Sequence, residues 1–204
     1  MVIAIDGPAG AGKSTVARAV AERLGFTYLD TGAMYRCVGL AARDSEEPAG
    51  VVASRANIAF HDHAVLLDGE DVTAAIRRPG VSDLASQVAA DPEVRKALVA
   101  KQQEIVATGN WVAEGRDIGT VVAPDAAVKV FLHADPEVRA ERRASQLNLD
   151  VQDVLAKQRV RDERDNTEGR STLEAPPGSD QVDTTNLTLD EVVDAIAALA
   201  EAKR

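Results

Sequence analysis

Gly7-Pro8-Ala9-Gly10-Ala11-Gly12-Lys13-Ser14 fills every fixed position of the pattern G-x-x-x-x-G-K-[ST]. Glycines let a backbone fold tightly enough to aim several N–H groups at one phosphate. A helix starting near Lys13 adds its positive dipole end. Lys13 is expected to reach the β- and γ-phosphates of a nucleoside triphosphate and Ser14 to ligate Mg²⁺, with the Thr15 hydroxyl close by. The bland alternative is a chance Gly-rich turn. Against it stands the context: an apolar run, Val2–Ile5, precedes the loop, and a helical pattern follows it. Such a loop specifies a triphosphate but no acceptor, since small kinases, GTPases, motors and ATPases all carry it.

Two further stretches have the residue types an acceptor needs. Asp30-Thr31-Gly32-Ala33-Met34-Tyr35-Arg36 follows a second strand candidate, where the carboxyl end of a strand meets the crevice of an α/β sheet. The planar fork of Arg36 suits a phosphate, although Arg36 could equally be a surface helix residue. Glu114-Gly115-Arg116-Asp117 is read as a loop following the strand Trp111–Ala113, with Gly119-Thr120 as a turn. Arg116 can bind phosphate, and Asp117 can accept from an amino group or hydroxyl. A third cluster is cationic. Arg139, Arg142, Arg143 and Gln146 fall on one helix face by spacing, as do Lys157, Arg161 and Arg164 on the next helix. Interleaved acids make an ion-paired helix surface one reading of this segment. The other is a lid that brings cations to a moving γ-phosphate and keeps water out.

These residues need elements to position them. Helices are expected over Lys13–Leu24 (closed by Gly25), Gly32–Ala42, Pro92–Ala107, Pro136–Leu147, Val151–Arg164 and Leu189–Lys203. Asp135 is a plausible N-cap, with Pro136 at the first helical position. Strands are expected at Val2–Ile5, Phe26–Leu29, Trp111–Ala113, Val128–Leu132 and Gln181–Asp183. Alternation of these five strands with helices predicts a parallel α/β sheet of the P-loop NTPase kind, flanked by helices. Ile58–Phe60 and Ala64–Leu67 break the alternation as a hairpin, Asp68-Gly69 marks the next turn, and the segment is placed in an inserted lobe. Glu174–Asp180 reads as a loop.

Composition limits the function classes. A net charge of −10 disfavours broad binding to nucleic acid polymers, which needs a basic face. The single cysteine, Cys37, excludes an internal disulfide and fits a reducing cytoplasm; it sits in an apolar helical run and is read as core. No apolar run approaches the roughly 20 residues that span a bilayer, so no membrane contact is expected. His61, His63 and His133 lack a carboxylate or cysteine partner at metal-ligand spacing and are read as structural or exposed.

With these stretches laid out, the chain resembles the bacterial cytidylate kinase family. Asp6–Thr15, Asp30–Arg36, Ser86–Arg95, Glu114–Asp125 and Arg161–Asp165 look like that family's blocks in the same order, and Asp30–Arg36 with Gly115–Val122 separates the resemblance from adenylate and shikimate kinases. The resemblance implies phosphorylation of CMP and dCMP by ATP with Mg²⁺, in a cytoplasmic monomer. It implies an NMP-binding lobe within about residues 31–107 and a short helical lid at about 145–170. Thr31, Arg36 and Arg116 would contact the acceptor phosphate. Ser86, Arg95 and Asp117 would read cytosine edges. Arg161 and Asp165 would come from the lid, Arg161 as a catalytic cation beside Lys13 and Arg116, and Asp165 on ribose hydroxyls. Arg142 is assigned to the bound ATP with residues Gly7 to Thr15. The chain departs from the family pattern where Glu168 replaces an arginine, with Arg170 two residues later, where Ser171–Glu174 replaces a Pro-Leu element, and in a short Asp44–Ala56. A P-loop GTPase switch would need an Asn-Lys-x-Asp signature, and no Asn is followed by Lys. A kinase for UMP, AMP or another small acceptor is opposed only by the cytosine-reading set.

Overall fold

The computed structural model describes residues 1–61, 64–165 and 174–203, with the side chains of Arg161, Arg164 and Asp165 outside that description. His63, Glu168, Arg170 and Ser171–Leu173 therefore lie outside the described residues. Two compact units form: Met1–Tyr28 with Thr108–Arg204, and Leu29–Ala107.

The first unit is built on β1 (Val2–Asp6), whose residues are nearly all buried, as expected of a strand with helices on both sides. It is followed by α1 (Lys13–Leu24), which spans the expected residues and stops at Gly25. β2 (Thr27–Asp30) then leads into the second unit. The chain returns through β6 (Trp111–Gly115), β7 (Val128–His133), α6 (Pro136–Leu147), α7 (Val151–Asp165), β8 (Asp180–Asp183) and α8 (Leu189–Glu201). The sheet runs β2-β6-β1-β7-β8. β1 pairs in parallel with both β6 and β7, so Asp6 lies level with Gly115 on one side and Phe131 on the other. That register gathers the strands' carboxyl ends, and with them the phosphate loop and the residues after β6. The core beneath is aliphatic: Ile3, Ile5, Val16, Val20, Val130, Leu132 and Ile196 pack together. Six of these are β-branched, which suits a pleated sheet in a protein with 3% aromatic residues. α8 is secured by a full capping box, Thr188 with Glu191.

The second unit contains α2 (Thr31–Arg43), α3 (Ala49–Arg55), an antiparallel sheet β3 (Ile58–His61), β4 (Ala64–Leu67) and β5 (Glu70–Asp71), then α4 (Val81–Val88) and α5 (Pro92–Val106). The hairpin falls where the sequence puts it. Asp68-Gly69 turns β4 into β5, a strand too short to read from two exposed acids. Cys37 is fully buried here among Ala33, Val65 and Ile76, and burial pushes its thiol up to about 12, which removes it as a nucleophile. α2 and α4 pack so closely that a Cβ at Gly39 would stand 3.0 Å from the Ala85 nitrogen.

Candidate active site

The phosphate loop is held in place at several points. At Gly7, φ is +148° and a Cβ would come within 2.0 Å of the Leu132 carbonyl oxygen, so no other residue fits. Lys13 Nζ donates to the Pro8 carbonyl at 2.8 Å, which lays the side chain back over its own loop. Ser14 and Thr15 are exposed. The Ser14 hydroxyl donates to Glu114 Oε1, and the Tyr28 hydroxyl donates to the same oxygen at 3.0 Å. Glu114 is 5% exposed. The sequence pattern puts Glu114 in a loop; instead β6 continues through Gly115, because both residues remain in register with β1. No local pattern marks Glu114, because its partner Ser14 is a hundred positions away in the chain.

Beyond β6, Arg116 is half-buried and Asp117 is buried. Residues Ile118–Val122 form a single turn of π-helix in place of the expected Gly119-Thr120 turn. The Asp117 carbonyl accepts from Val121 at 2.8 Å and Val122 at 3.2 Å. Asp6 Oδ1 accepts the Ile118 N–H and Oδ2 the Gly119 N–H, each at 2.8 Å. The Asp6 carboxyl is pushed up to about 6, chiefly by burial. The two N–H bonds and Lys13 oppose that rise, and the Asp117 charge adds to it.

The arginines of α6 do not act as one face. Arg139, 6% exposed, donates through Nη1 to the Ala9 carbonyl at 2.9 Å and through Nε to the Ala134 carbonyl at 3.1 Å. Its Nη2 stands 3.0 Å from Asp162 Oδ2 of α7. Gln158, also on α7, donates to the same Ala9 carbonyl at 3.0 Å. Arg139 is thus a tie between phosphate loop, α6 and α7, and its charge is spent on Asp162. Arg142 has both terminal nitrogens on Thr184, at 3.0 Å to the hydroxyl and 2.7 Å to the carbonyl, holding the turn after β8. Arg143 leans along its own helix to Gln146 at 3.4 Å. Helical spacing put these side chains on one side; partners from different elements draw them apart. Asp135 precedes α6 as expected but makes no side-chain cap bond. Lys157 is exposed. α7 carries the backbone of Arg161 and Asp165, with Asp162 and Gln158 fixing its approach to the loop.

The second unit holds the remaining candidates. Asp30 caps α2, accepting the Ala33 N–H at 2.8 Å through Oδ1, while Oδ2 pairs with Arg36 Nη2 at 2.8 Å. This pair aims the Arg36 guanidinium along the start of α2. Thr31, the first residue of that helix, is buried. Ser86 is buried on α4, and Arg95 is half-buried near the start of α5. His61 is exposed on β3, and His133 Nδ1 lies 3.9 Å from Asp183.

The family profile described as cytidylate kinase matches residues 3–202. The chain belongs to the cytidylate kinase family. A cytidylate kinase from Caldanaerobacter subterraneus subsp. tengcongensis is 47% identical, with 95% of this chain and 92% of the relative covered. One from Solibacter usitatus is 44% identical, with 100% and 93% covered. Among solved structures, a gluconokinase from Sinorhizobium meliloti 1021 has a TM-score of 0.56 at 20% identity, covering 99% of this chain and 93% of its own. Shikimate kinase from Acinetobacter baumannii has a TM-score of 0.52 at 17% identity, covering 100% and 94%. At such identities these neighbours establish the fold, a parallel five-stranded P-loop kinase sheet flanked by helices. Membership of the cytidylate kinase family makes the chain an ATP-dependent transferase. Among the described residues no helix is long and apolar enough to cross a membrane.

Proposed function

We propose that this member of the family phosphorylates CMP and dCMP. A CMP phosphate oxygen attacks the γ-phosphorus of ATP in line, the bond to the β,γ-bridging oxygen breaks, and CDP and ADP leave. The observation that carries the reading is the full-length family match of a chain whose phosphate loop is complete. No side-chain nucleophile is required, because such transfer works through positioning and charge.

Lys13 and the backbone N–H groups of Gly7 to Thr15 would hold the triphosphate. The donors at the loop suit Mg²⁺, a hard cation that takes oxygen ligands: the Ser14 hydroxyl, already bonded to the Glu114 carboxylate. Ser14 would hold the ion, which would neutralise charge on the phosphates, and Glu114 would orient Ser14. Thr31, Arg36 and Arg116 would take the CMP phosphate. Ser86, Arg95 and Asp117 would read cytosine, with the carboxylate accepting from its amino group. Arg161 would meet the charge that grows in the transition state, and Asp165 the ribose. Arg142, which holds Thr184 in the structure, would leave it to contact the bound ATP. The unit Leu29–Ala107 would serve as the monophosphate-binding lobe and the α6–α7 region as the lid. The same reading has the chain working as a cytoplasmic monomer.

ADP release measured with CMP, dCMP, UMP and AMP tests the assignment. CMP and dCMP should each give a kcat/KM roughly 10-fold or more above UMP and AMP, as loss of one charge-assisted hydrogen bond requires. Equal efficiency with UMP or AMP would remove the cytosine-reading set.

A further inference from the structure

Asp6 ends β1, and the next residue is the first glycine of the phosphate loop. Its side chain is 1% exposed, yet its hydrogen bonds go away from that loop, to the amides of Ile118 and Gly119 at 2.8 Å each. These amides open the π-helical turn, where backbone donors have no earlier carbonyl to bond to and are costly to bury unpaired. The fit is close. A Cβ at Gly119 would stand 3.3 Å from Asp6 Oδ2, from Lys129 Cδ and from Pro176 Cγ. Arg116 and Asp117 immediately precede the two bonded amides.

We propose that Asp6 is a positioning residue for the acceptor nucleotide: its carboxylate clamps the backbone of Ile118 and Gly119 and so sets where Arg116 and Asp117 stand. This rests on reading Arg116 and Asp117 as acceptor residues. The clamp couples the strand that launches the phosphate loop to the turn that reads the acceptor. A carboxylate serves both amides at once. A protonated carboxyl keeps one good acceptor and turns a hydroxyl toward the other amide, so protonation loosens the turn. The charges around Asp6 are Lys13 from the loop, which favours the carboxylate, and Asp117 from the turn, which opposes it; Lys129 of β7 lies across Gly119. Burial dominates and brings the carboxyl to about 6, within reach of mild acidification.

The test uses the full chain without nucleotide, followed by amide NMR. The Ile118 and Gly119 amide resonances should move together as pH falls through about 6, and that movement should vanish in Asp6→Asn. At neutral pH the same variant should raise the KM for CMP by about 10-fold or more, the effect of one lost charge-assisted bond, while the KM for ATP stays put. Gly119→Ala crowds the same oxygen, 3.3 Å from the added Cβ, and should shift the KM for CMP in the same direction, which keeps the test alive should Asp6→Asn not fold. Amides that do not titrate, or a KM for ATP rising in step with that for CMP, would overturn the proposal. A wild-type chain that transfers nothing to CMP would refute the kinase reading by itself. The amide titration would still decide whether Asp6 holds the turn.

Discussion

Lys13→Ala is expected to slow transfer from ATP to CMP by on the order of 100- to 1000-fold, the usual cost of removing one preorganised donor from developing charge. The fold should survive. Lys13 is half-buried, and the bond from its ammonium to the Pro8 carbonyl is worth no more than about 1.5–3 kcal/mol. The loop keeps its shape by other means: the tight approach of Gly7 to Leu132, and the donations of Arg139 and Gln158 to Ala9. Circular dichroism of the variant should therefore match the wild type, with thermal unfolding lowered by only about 3–10 °C, while kcat falls. Turnover near wild type at saturating Mg·ATP would mean that Lys13 does not meet the triphosphate.

Asp117→Asn should change which base is accepted. A carboxylate accepts from the 4-amino group of cytosine and repels the 4-carbonyl of uracil, whereas an amide can donate to that carbonyl. Loss of a charge-assisted hydrogen bond costs about 1.5–3 kcal/mol, or roughly 10- to 150-fold in kcat/KM for CMP. UMP should lose far less, so the CMP/UMP ratio falls. The competing account gives Asp117 only a local duty, opening the π-helical turn through its backbone carbonyl. The substitution leaves that carbonyl in place, so on that account both substrates change alike. Asp117 is buried and its charge raises the Asp6 carboxyl, so Asp117→Asn should also lower the pH at which the Ile118 and Gly119 amides titrate.

What the sequence disclosed and what it withheld divide along physical lines. The phosphate loop, α1 with its Gly25 stop, α6, and the hairpin of β3 and β4 are local patterns of glycine, period and turn, and all stand where expected. α3 and α4 went unread because neither has a start signal: Pro48 and Gly80 occupy their N-cap positions and offer no side-chain acceptor. α4 is instead fixed by α2, through the bare face of Gly39. The site shows the same division. Lys13 and Arg116 announce themselves by motif. Asp6, Glu114 and Gln158 acquire meaning only from Gly119, Ser14 and Ala9, each more than ninety positions away along the chain. The arginines of α6 share a face by count, yet Asp162 and Thr184 claim Arg139 and Arg142 separately, and no helical period encodes that.

The fate of the γ-phosphate tests the central claim most directly. Wild-type chain, Mg²⁺ and ATP labelled in the γ-phosphate are mixed with CMP, and the products are separated. Label is expected in CDP, in step with the ADP formed, with little released when CMP is left out. Label accumulating as inorganic phosphate regardless of CMP would contradict the account, because it would make the phosphate loop part of a hydrolase or switch rather than a cytidylate kinase.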